Sequence, residues 1–314
     1  MTARRTFSFA LSGLLLAPLT VCAQGAKSRI AVPFIDAYLE AFKQGMREQG
    51  FRDGDVEYDT RSGQPQQFEQ WVAEMVARKP AVLVMGSTPM VNAALKQTST
   101  IPIVMVMVSD PVGNKFVQSL ARPGGNVTGI ATLHETVLPK TVEMLHLFAP
   151  SASRVAVLVN PVSPSTNVFW TSSESALRTL GQTAIRIDAS SEPQLTEAFA
   201  RMKTEGVQGV VIVPDRIFFA ARNRLAALAQ EYRLPAVYPV REHVLAGGLA
   251  SYGPSLGAQA RASARYVAAI LKGAKPADLP VEQARNFELV VNRRTMQTLG
   301  IKLPTALPVD EVIE

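Results

Sequence analysis

Cysteine is almost absent from this sequence. Of the 314 residues only Cys22 carries a thiol, and it lies in an N-terminal segment that we expect to be removed. The remaining chain then has no disulfide bond, no thiol nucleophile and no cysteine ligand for a zinc ion. Its stability has to come from the size of its hydrophobic core, and a chain of this length can build one large or two modest domains.

The sequence motifs of many enzymes are missing too. There is no Gly-x-Ser-x-Gly, no Gly-x-x-x-x-Gly-Lys-Ser/Thr, and no Gly-x-Gly-x-x-Gly after a predicted strand. His134, His146 and His243 do not have the mutual spacing of metal ligands. We therefore predict no metal, no cofactor and no catalytic residue.

Dense clusters of basic residues are also absent. The chain carries 32 Lys and Arg against 26 Asp and Glu, which gives a net charge of +6, but the basic residues are scattered. No low-complexity tract or clear internal repeat occurs. This pattern is typical of a solvated basic surface, and it predicts no nucleic-acid partner.

A long apolar run occurs at the N-terminus. It follows Arg4-Arg5, extends from Phe7 to Val21, and ends at Ala23 in a sequence like that of a small-residue cleavage site. A membrane-spanning helix needs about 20 apolar residues, and this run is shorter and is interrupted by Pro18. We predict that residues 1–23 are a signal peptide and that the mature protein is periplasmic.

Two alternatives for this segment stay open. Arg4-Arg5-Thr6-Phe7 resembles the twin-arginine form of export signals. Leu19-Thr20-Val21-Cys22 resembles the acylation box of a lipoprotein, which would anchor the protein through Cys22. Val21 is bulky where that box usually has a small residue, so we favour simple cleavage.

The rest of the chain alternates between strand and helix patterns in two runs of similar length. Ile103 to Val108 is a continuous apolar run that predicts a strand buried on both faces, and Arg154 to Val159 begins the second run. Thr88-Pro89 and Asp110-Pro111 both have the form of a helix N-cap followed by the first helical residue. We therefore predict an α/β fold with two parallel-sheet lobes and a cleft between them.

Polar residues next to proline follow several of the predicted strands. In an open α/β sheet the carboxyl ends of the strands meet at one edge, and ligands bind there. Helix N-termini at that edge offer unpaired N–H groups and a partial positive charge to a ligand carboxylate. The junctions are Ser87-Thr88-Pro89, Ser109-Asp110-Pro111, Asn160-Pro161, Pro214-Asp215 and Ser251-Tyr252-Gly253-Pro254.

These strand ends supply candidate ligand-binding residues. The carboxylate of Asp110 or Asp215 could bind a ligand ammonium group. An aromatic residue near these ends could line an apolar pocket or stack on a flat ligand, and the candidates are Phe34, Tyr38, Trp170, Phe218, Phe219, Tyr238 and Tyr252. The alternative is that the Asp and Thr residues only cap their own helices and that the aromatic residues pack in the core.

Longer segments also occur in a recognisable order along the chain. They are AFKQGMREQGF, TSTIPIVMVMVSDPVG, SLARPGGNVTGIATL, RVAVLVNP, PDRIFF, YRLPAVYPVREHVLAGGLASYGPSL, YVAAILKGAKPADLPVEQARNFELVVN and LGIKLP. Together they resemble the type I periplasmic solute-binding proteins of ABC importers, in the branch some of whose members bind tryptophan or tyrosine. The resemblance covers nearly the whole mature chain.

This resemblance implies two Rossmann-like lobes joined by three hinge crossings. The crossings would fall near Ala131, Gly248 and Pro280. The first lobe would comprise residues 27–131 plus 249–280, and the second lobe residues 132–248 plus 281–314. The loop from Val32 to Asp36 is shorter than the Gly/Ser-rich loop that the family usually has after its first strand.

The resemblance also implies a function. The chain would be an exported receptor that closes its lobes on a small organic ligand, an amino acid or an aromatic acid, and delivers it to the membrane subunits of an ABC permease. It would be a monomer without a cofactor. By position on the family's pattern, the ligand-binding residues would be Ser87, Thr88, Asp110, Asn160, Asp215, Tyr238 and Tyr252.

Two functions of other classes stay open. One is a two-lobed α/β enzyme, such as an amino-acid racemase or a sugar isomerase. Racemases of that shape commonly use a facing pair of cysteines, which the mature chain lacks. The other is a receptor that passes its signal to a partner protein instead of a permease.

The predicted processing can be measured directly. Mass spectrometry of the protein purified from an exporting host should show an unlipidated chain that begins at Gln24. A diacylated chain that begins at Cys22 would identify the protein as a lipoprotein instead.

Overall fold

The structure is a computed structural model that describes residues 27–34, 36–61, 67–132, 134–304 and 307–314. The predicted signal peptide, with Cys22, lies outside the described residues. Within the described ranges, no helix combines the length and the apolar character that a bilayer crossing requires.

The first part of the chain alternates strands with helices. Its elements are β1 (Ser28–Ala31), α1 (Asp36–Glu48), β2 (Val56–Asp59), α2 (Phe68–Ala77), β3 (Val82–Met85), α3 (Thr88–Gln97), β4 (Ile103–Val108) and β5 (Val127–Ala131). The apolar sequences of β3 and β4 place them in the interior, where every residue except Met107 is buried.

The alternation continues in the second part. Its elements are α4 (His134–Phe148), β6 (Arg154–Val159), α5 (Thr166–Thr179), β7 (Thr183–Asp188), α6 (Gln194–Thr204), β8 (Gly209–Ile212), α7 (Arg216–Ala220), α8 (Arg222–Glu231), β9 (Ala236–Tyr238), α9 (Arg241–Leu245) and β10 (Ala250–Pro254). The last part contains α10 (Leu256–Leu271), a 3₁₀ turn (Pro276–Asp278), β11 (Glu282–Gln283), β12 (Phe287–Asn292), α11 (Arg293–Leu299) and β13 (Glu311–Ile313).

These strands form two sheets. The first has the order β2-β1-β3-β4-β5-β11 and is parallel throughout, and the second has the order β7-β6-β8-β9-β10-β12-β13. The first five strands of each part follow the same doubly wound order, which confirms the predicted α/β fold with two lobes. The second sheet is not purely parallel, because β12 runs antiparallel to β10.

The chain passes between the two sheets three times, after β5, after β10 and after β11. The predicted second crossing near Gly248 was wrong. Residues 250–254 form β10, which pairs with β9 and β12 in the second sheet, so the crossing lies at Ser255. The third crossing lies beyond Gln283 instead of near Pro280, because β11 pairs with β5 in the first sheet.

A buried hydrogen bond connects two of these crossings. Thr132, which follows β5, donates from its hydroxyl to Oε1 of Gln259 on α10 at 2.9 Å. Both residues are buried. The bond therefore joins the first crossing to the helix that follows the second.

Helix α10 returns to the first lobe and packs against α1, burying one apolar stripe of each helix. The two helices touch at Gly45. A methyl group added there would lie 2.1 Å from the carbonyl oxygen of Arg261 and 2.8 Å from Cβ of Ala264. Glycine at this position is what allows the two backbones to approach so closely.

We expect Gly45→Ala to lower the free energy of unfolding by about 1–3 kcal/mol, since the added methyl group forces α1 and α10 apart. Denaturant titration measures the change. Gly257→Ala is the control, because nothing lies within 4 Å of the added methyl group and alanine favours helix. Equal or greater stability of Gly45→Ala relative to this control would contradict the packing argument.

Candidate ligand site between the lobes

Ser87 and Thr88 lie where β3 passes into α3. Ser87 is the N-cap, and its hydroxyl oxygen accepts a hydrogen bond from the N–H of Met90 at 3.4 Å. Thr88 is the first residue of the helix, so the N-cap expected at Thr88 is one residue earlier in the structure. Both side chains are half-buried at the carboxyl end of the strand.

The helix predicted after Asp110 does not form. Residues 111–115 form turns, and Oδ1 of Asp110 accepts a hydrogen bond from the N–H of Gly113 at 2.8 Å. The side chain of Asn114 donates to the carbonyl oxygen of Asp110 at 2.8 Å. Glycine and asparagine disfavour helix and favour such turns, so Asp110 is the exposed cap of a turn.

A β-bulge precedes Asp110, and the sequence did not predict it. The pairing of β4 with β5 shifts between Met105 and Val108, and Met107 adopts a left-handed φ of +58°. On β5, Gly129 pairs with Met105 and has a φ of +133°, and a Cβ there would lie 2.1 Å from the carbonyl oxygen of Met105. Bulges of this kind redirect a strand end and are common beside binding sites.

The structure brings Asn160 and Asp215 together at the ends of β6 and β8. Nδ2 of Asn160 donates to Oδ2 of Asp215 at 3.1 Å. Oδ1 of Asp215 accepts from the N–H of Ile217 at 2.7 Å and so caps α7. The Asp215 carboxylate is therefore fixed by two donors before any ligand is present.

Tyr238 does not lie at the surface of the cleft, which corrects the prediction that it binds ligand. It is fully buried in β9, its ring stacks on His243 with centroids 5.1 Å apart, and its edge fills the space beside Gly248. A central strand covered by helices buries side chains on both faces, and α9 covers this one. Tyr252 is half-buried and stacks on Phe287 at 6.4 Å.

A cavity of about 530 Å³ lies between the lobes, a volume suited to a small molecule. The first lobe contributes the starts of α1 and α10, and the second contributes α8, α9 and β12. Its polar wall includes Tyr38, Arg222, Arg241, Glu242, Ser255 and Glu288. Of the described residues that line it, none is among those predicted to bind ligand.

A larger groove of about 790 Å³ lies on the outer face of the second lobe. It runs between α4 and α5, and its walls, such as Pro139, Val168 and Leu180, come from that lobe alone. Only a cavity with walls from both lobes changes shape when the lobes move. The smaller cavity is therefore the better candidate site in a receptor that closes on its ligand.

Tyr38 of the first lobe meets Glu242 and Arg222 of the second across this cavity. Tyr38 is only 9% exposed. Its hydroxyl and Oε2 of Glu242 are both buried, and among the described residues neither has a partner other than the side chain opposite. Burial raises the pKa of the Tyr38 phenol, and the negative charge of Glu242 and its hydrogen bond with the phenol raise it further.

Other charged groups of the wall differ in how they are paired. Nε of Arg241 donates to Oε2 of Glu311 at 3.0 Å. The guanidinium of Arg222 lies 5.3 Å from the centre of the Phe219 ring and donates to the Phe219 carbonyl oxygen at 3.1 Å. Burial raises the pKa of Glu288. Sequence reasoning missed the charged residues of this wall, although Arg241 and Glu242, the charged pair that follows β9, were a usable signal.

Comparison with known proteins agrees with this geometry. Residues 28–311 match the family model described as ABC transporter substrate binding protein. The chain belongs to this family. The family resemblance found in the sequence is thereby confirmed, and two parallel-sheet lobes around a ligand cleft are what such a binding protein needs.

Three similar proteins extend the comparison of this ABC substrate-binding protein. The tyrosine-binding protein of Clostridioides difficile (strain R20291) is 23% identical over 88% of this chain and 81% of its own. A conserved domain protein from Vibrio cholerae is 27% identical, with a TM-score of 0.82 over 91% of this chain and 100% of its own. A Streptococcus pneumoniae domain solved in complex with L-Trp is 23% identical, with a TM-score of 0.82 over 92% and 100%.

His243, which stacks on Tyr238, makes the stability of the folded protein depend on pH. Burial lowers the pKa of His243 to about 4 from an ordinary value of 6.5. The folded protein therefore binds a proton there less readily than the unfolded chain, and stability is lost as the pH falls from about 6.5 towards 4. We expect this group alone to contribute a loss of about 2 kcal/mol between pH 7 and pH 5.

Denaturant titrations of wild type and His243→Phe at these two pH values test this prediction, because the variant should lose less stability on acidification than wild type. An unchanged pH dependence in His243→Phe would show that His243 is not responsible.

Proposed function

We propose that this chain is the exported solute-binding component of an ABC importer and that it captures an amino acid or an aromatic acid between its lobes. The observation that carries the proposal is the cavity with walls from both lobes. Two relatives described above are a tyrosine-binding protein and a domain crystallised with L-Trp, and they support an aromatic amino acid as the first ligand to test.

Capture works by a shift between open and closed forms. A ligand that contacts both lobes binds the closed form better, and this difference in affinity moves the equilibrium towards closure. A micromolar dissociation constant needs only about −8 kcal/mol. A few charge-assisted hydrogen bonds and one contact with an aromatic ring are enough to supply it.

The proposal also assigns ligand contacts to the strand ends, which lie outside the lining of the cavity in this structure and would have to approach the ligand when the lobes close. Ser87, Thr88 and Asp110 of the first lobe, with Asn160, Asp215 and Tyr252 of the second, offer hydrogen bonds to the polar groups of the ligand. The fixed carboxylate of Asp215 supports a role as acceptor, because its orientation costs no further entropy on binding.

The same proposal specifies the location, oligomeric state and partners of the receptor. The mature protein acts as a periplasmic monomer, uses no cofactor and delivers its ligand to the membrane subunits of an ABC permease. It does not alter the ligand. The alternatives are a two-lobed racemase or isomerase, which would convert a bound compound, and a receptor for a signalling partner.

A ligand screen tests the function. The mature protein, residues 24–314, is heated with L-tyrosine, L-tryptophan, other amino acids, aromatic acids and nucleosides. A ligand at about 100 times its dissociation constant stabilises the folded state by about 2.7 kcal/mol and raises the melting temperature. A compound that is converted to a product on incubation would point to an enzyme, and the absence of any shift would contradict the proposal.

Asp215→Asn tests the contribution of the strand ends. The amide oxygen of Asn can still cap α7, but the charged acceptor is lost, so we expect the dissociation constant of the ligand to rise about tenfold. Asp188→Asn is the matched control, since Asp188 is an exposed carboxylate at the end of β7. Isothermal titration calorimetry measures both, and equal effects would remove Asp215 from the site.

A further inference from the structure

Among the charged side chains of the interlobe cavity that form no ion pair in the described structure, carboxylates outnumber guanidinium groups. The guanidinium of Arg241 is occupied by Glu311. In the described part of the chain, Arg222, Glu242 and Glu288 form no ion pair with any other residue, which leaves one positive and two negative groups on the wall. A cation in the cavity would balance this charge, and an anion would add to the repulsion.

Two buried polar atoms also point to an absent partner. The hydroxyl of Tyr38 and Oε2 of Glu242 are both buried and face each other across the cavity, and among the described residues neither atom has a partner other than the side chain opposite. Buried polar atoms in folded proteins nearly always have a partner, either protein, water or ligand. These two atoms belong to opposite lobes, so a group that binds both connects the lobes.

An ammonium group fits this arrangement. It carries a positive charge, donates hydrogen bonds and accepts none, whereas the ionised Glu242 only accepts and the phenol oxygen of Tyr38 can accept as well. A carboxylate group has the opposite character and would face Glu242 and Glu288 directly. The cavity wall therefore distinguishes amines from acids.

A free α-amino acid has one ammonium group, and two carboxylates compete for it. Asp215 already accepts hydrogen bonds from Asn160 and Ile217. In the described structure, Oε2 of Glu242 has no partner other than Tyr38. We propose that Glu242, with the hydroxyl of Tyr38, is the subsite that binds the ammonium group of the ligand. This inference rests on the proposed receptor function, and it selects amine-bearing ligands over aromatic acids that lack the amine.

The test varies the charge of both the ligand and the protein. Calorimetry measures the binding of L-tyrosine, of tyramine, which keeps only the ammonium group, and of 3-(4-hydroxyphenyl)propionate, which keeps only the carboxylate. Wild type should bind the two amines at least tenfold more tightly than the acid. Glu242→Gln should remove this preference, and Tyr38→Phe should reduce it without abolishing binding.

Two variants serve as comparisons. Glu231→Gln makes the same change in charge on an exposed residue at the end of α8 and should keep the wild-type preference. Asp215→Asn should leave the wild-type preference for the amines over the acid in place, because in this proposal Glu242 and not Asp215 binds the ammonium group. A double-mutant analysis of ligand and side chain then gives the coupling between Glu242 and the amine.

The outcomes separate this subsite from the receptor function. Equal weakening of amines and acid by Glu242→Gln, or tighter binding of the acid by wild type, overturns the subsite and leaves the receptor function standing. Tyramine binding that depends on Glu242, without binding of amino acids, supports the subsite and contradicts an amino-acid ligand. If none of the three probes binds, the subsite is overturned, and the receptor function is decided by the wider ligand screen.

Discussion

The contact between α1 and α10 is the constraint on which the two-lobed structure depends. After β10 the chain leaves the second sheet and has to be held against the first, and it is held where Gly45 lets the two backbones meet. Helix α10 then carries Gln259 to Thr132, and its start supplies one wall of the cavity beside Tyr38. If α10 did not pack against the first lobe, β11 would not reach the edge of the first sheet, and the start of α10 would not line the cavity between the lobes.

The candidate site is formed by the two lobes together, because each lobe contributes only part of the cavity wall. Tyr38 lies in the first turn of α1 in the first lobe, and Glu242 lies in α9 of the second, and each has a buried polar atom whose only partner in the described structure is the side chain opposite. The polar groups at the strand ends differ in this respect, because Asn160 already donates a hydrogen bond to Asp215. The proposed function thus combines hydrogen-bonding groups that are already oriented with groups that a ligand held by both lobes would satisfy.

Local patterns were sufficient for the alternation of strands and helices. Alternating apolar runs such as Ile103–Val108 predicted the strands, and the family resemblance predicted the three crossings. The second crossing was misplaced because its position depends on which sheet contains β10. That sheet is fixed by the pairing of β10 with β12, which begins more than thirty residues later in the chain, and no local pattern records this pairing. Tyr238 was misjudged for a related reason, since a residue at a strand end faces either the cleft or a covering helix. Glu242 was missed because its significance depends on how the lobes face each other.

The hydrogen bond between Thr132 and Gln259 has a consequence for how the molecule opens. Thr132 follows the first crossing, and Gln259 lies in the first turn of α10, just after the second crossing. In the proposed function, a rotation of one lobe about the crossings moves atoms near them least and the outer edges of the lobes most. The proposal therefore places ligand entry at the outer edges, with this hydrogen bond kept intact.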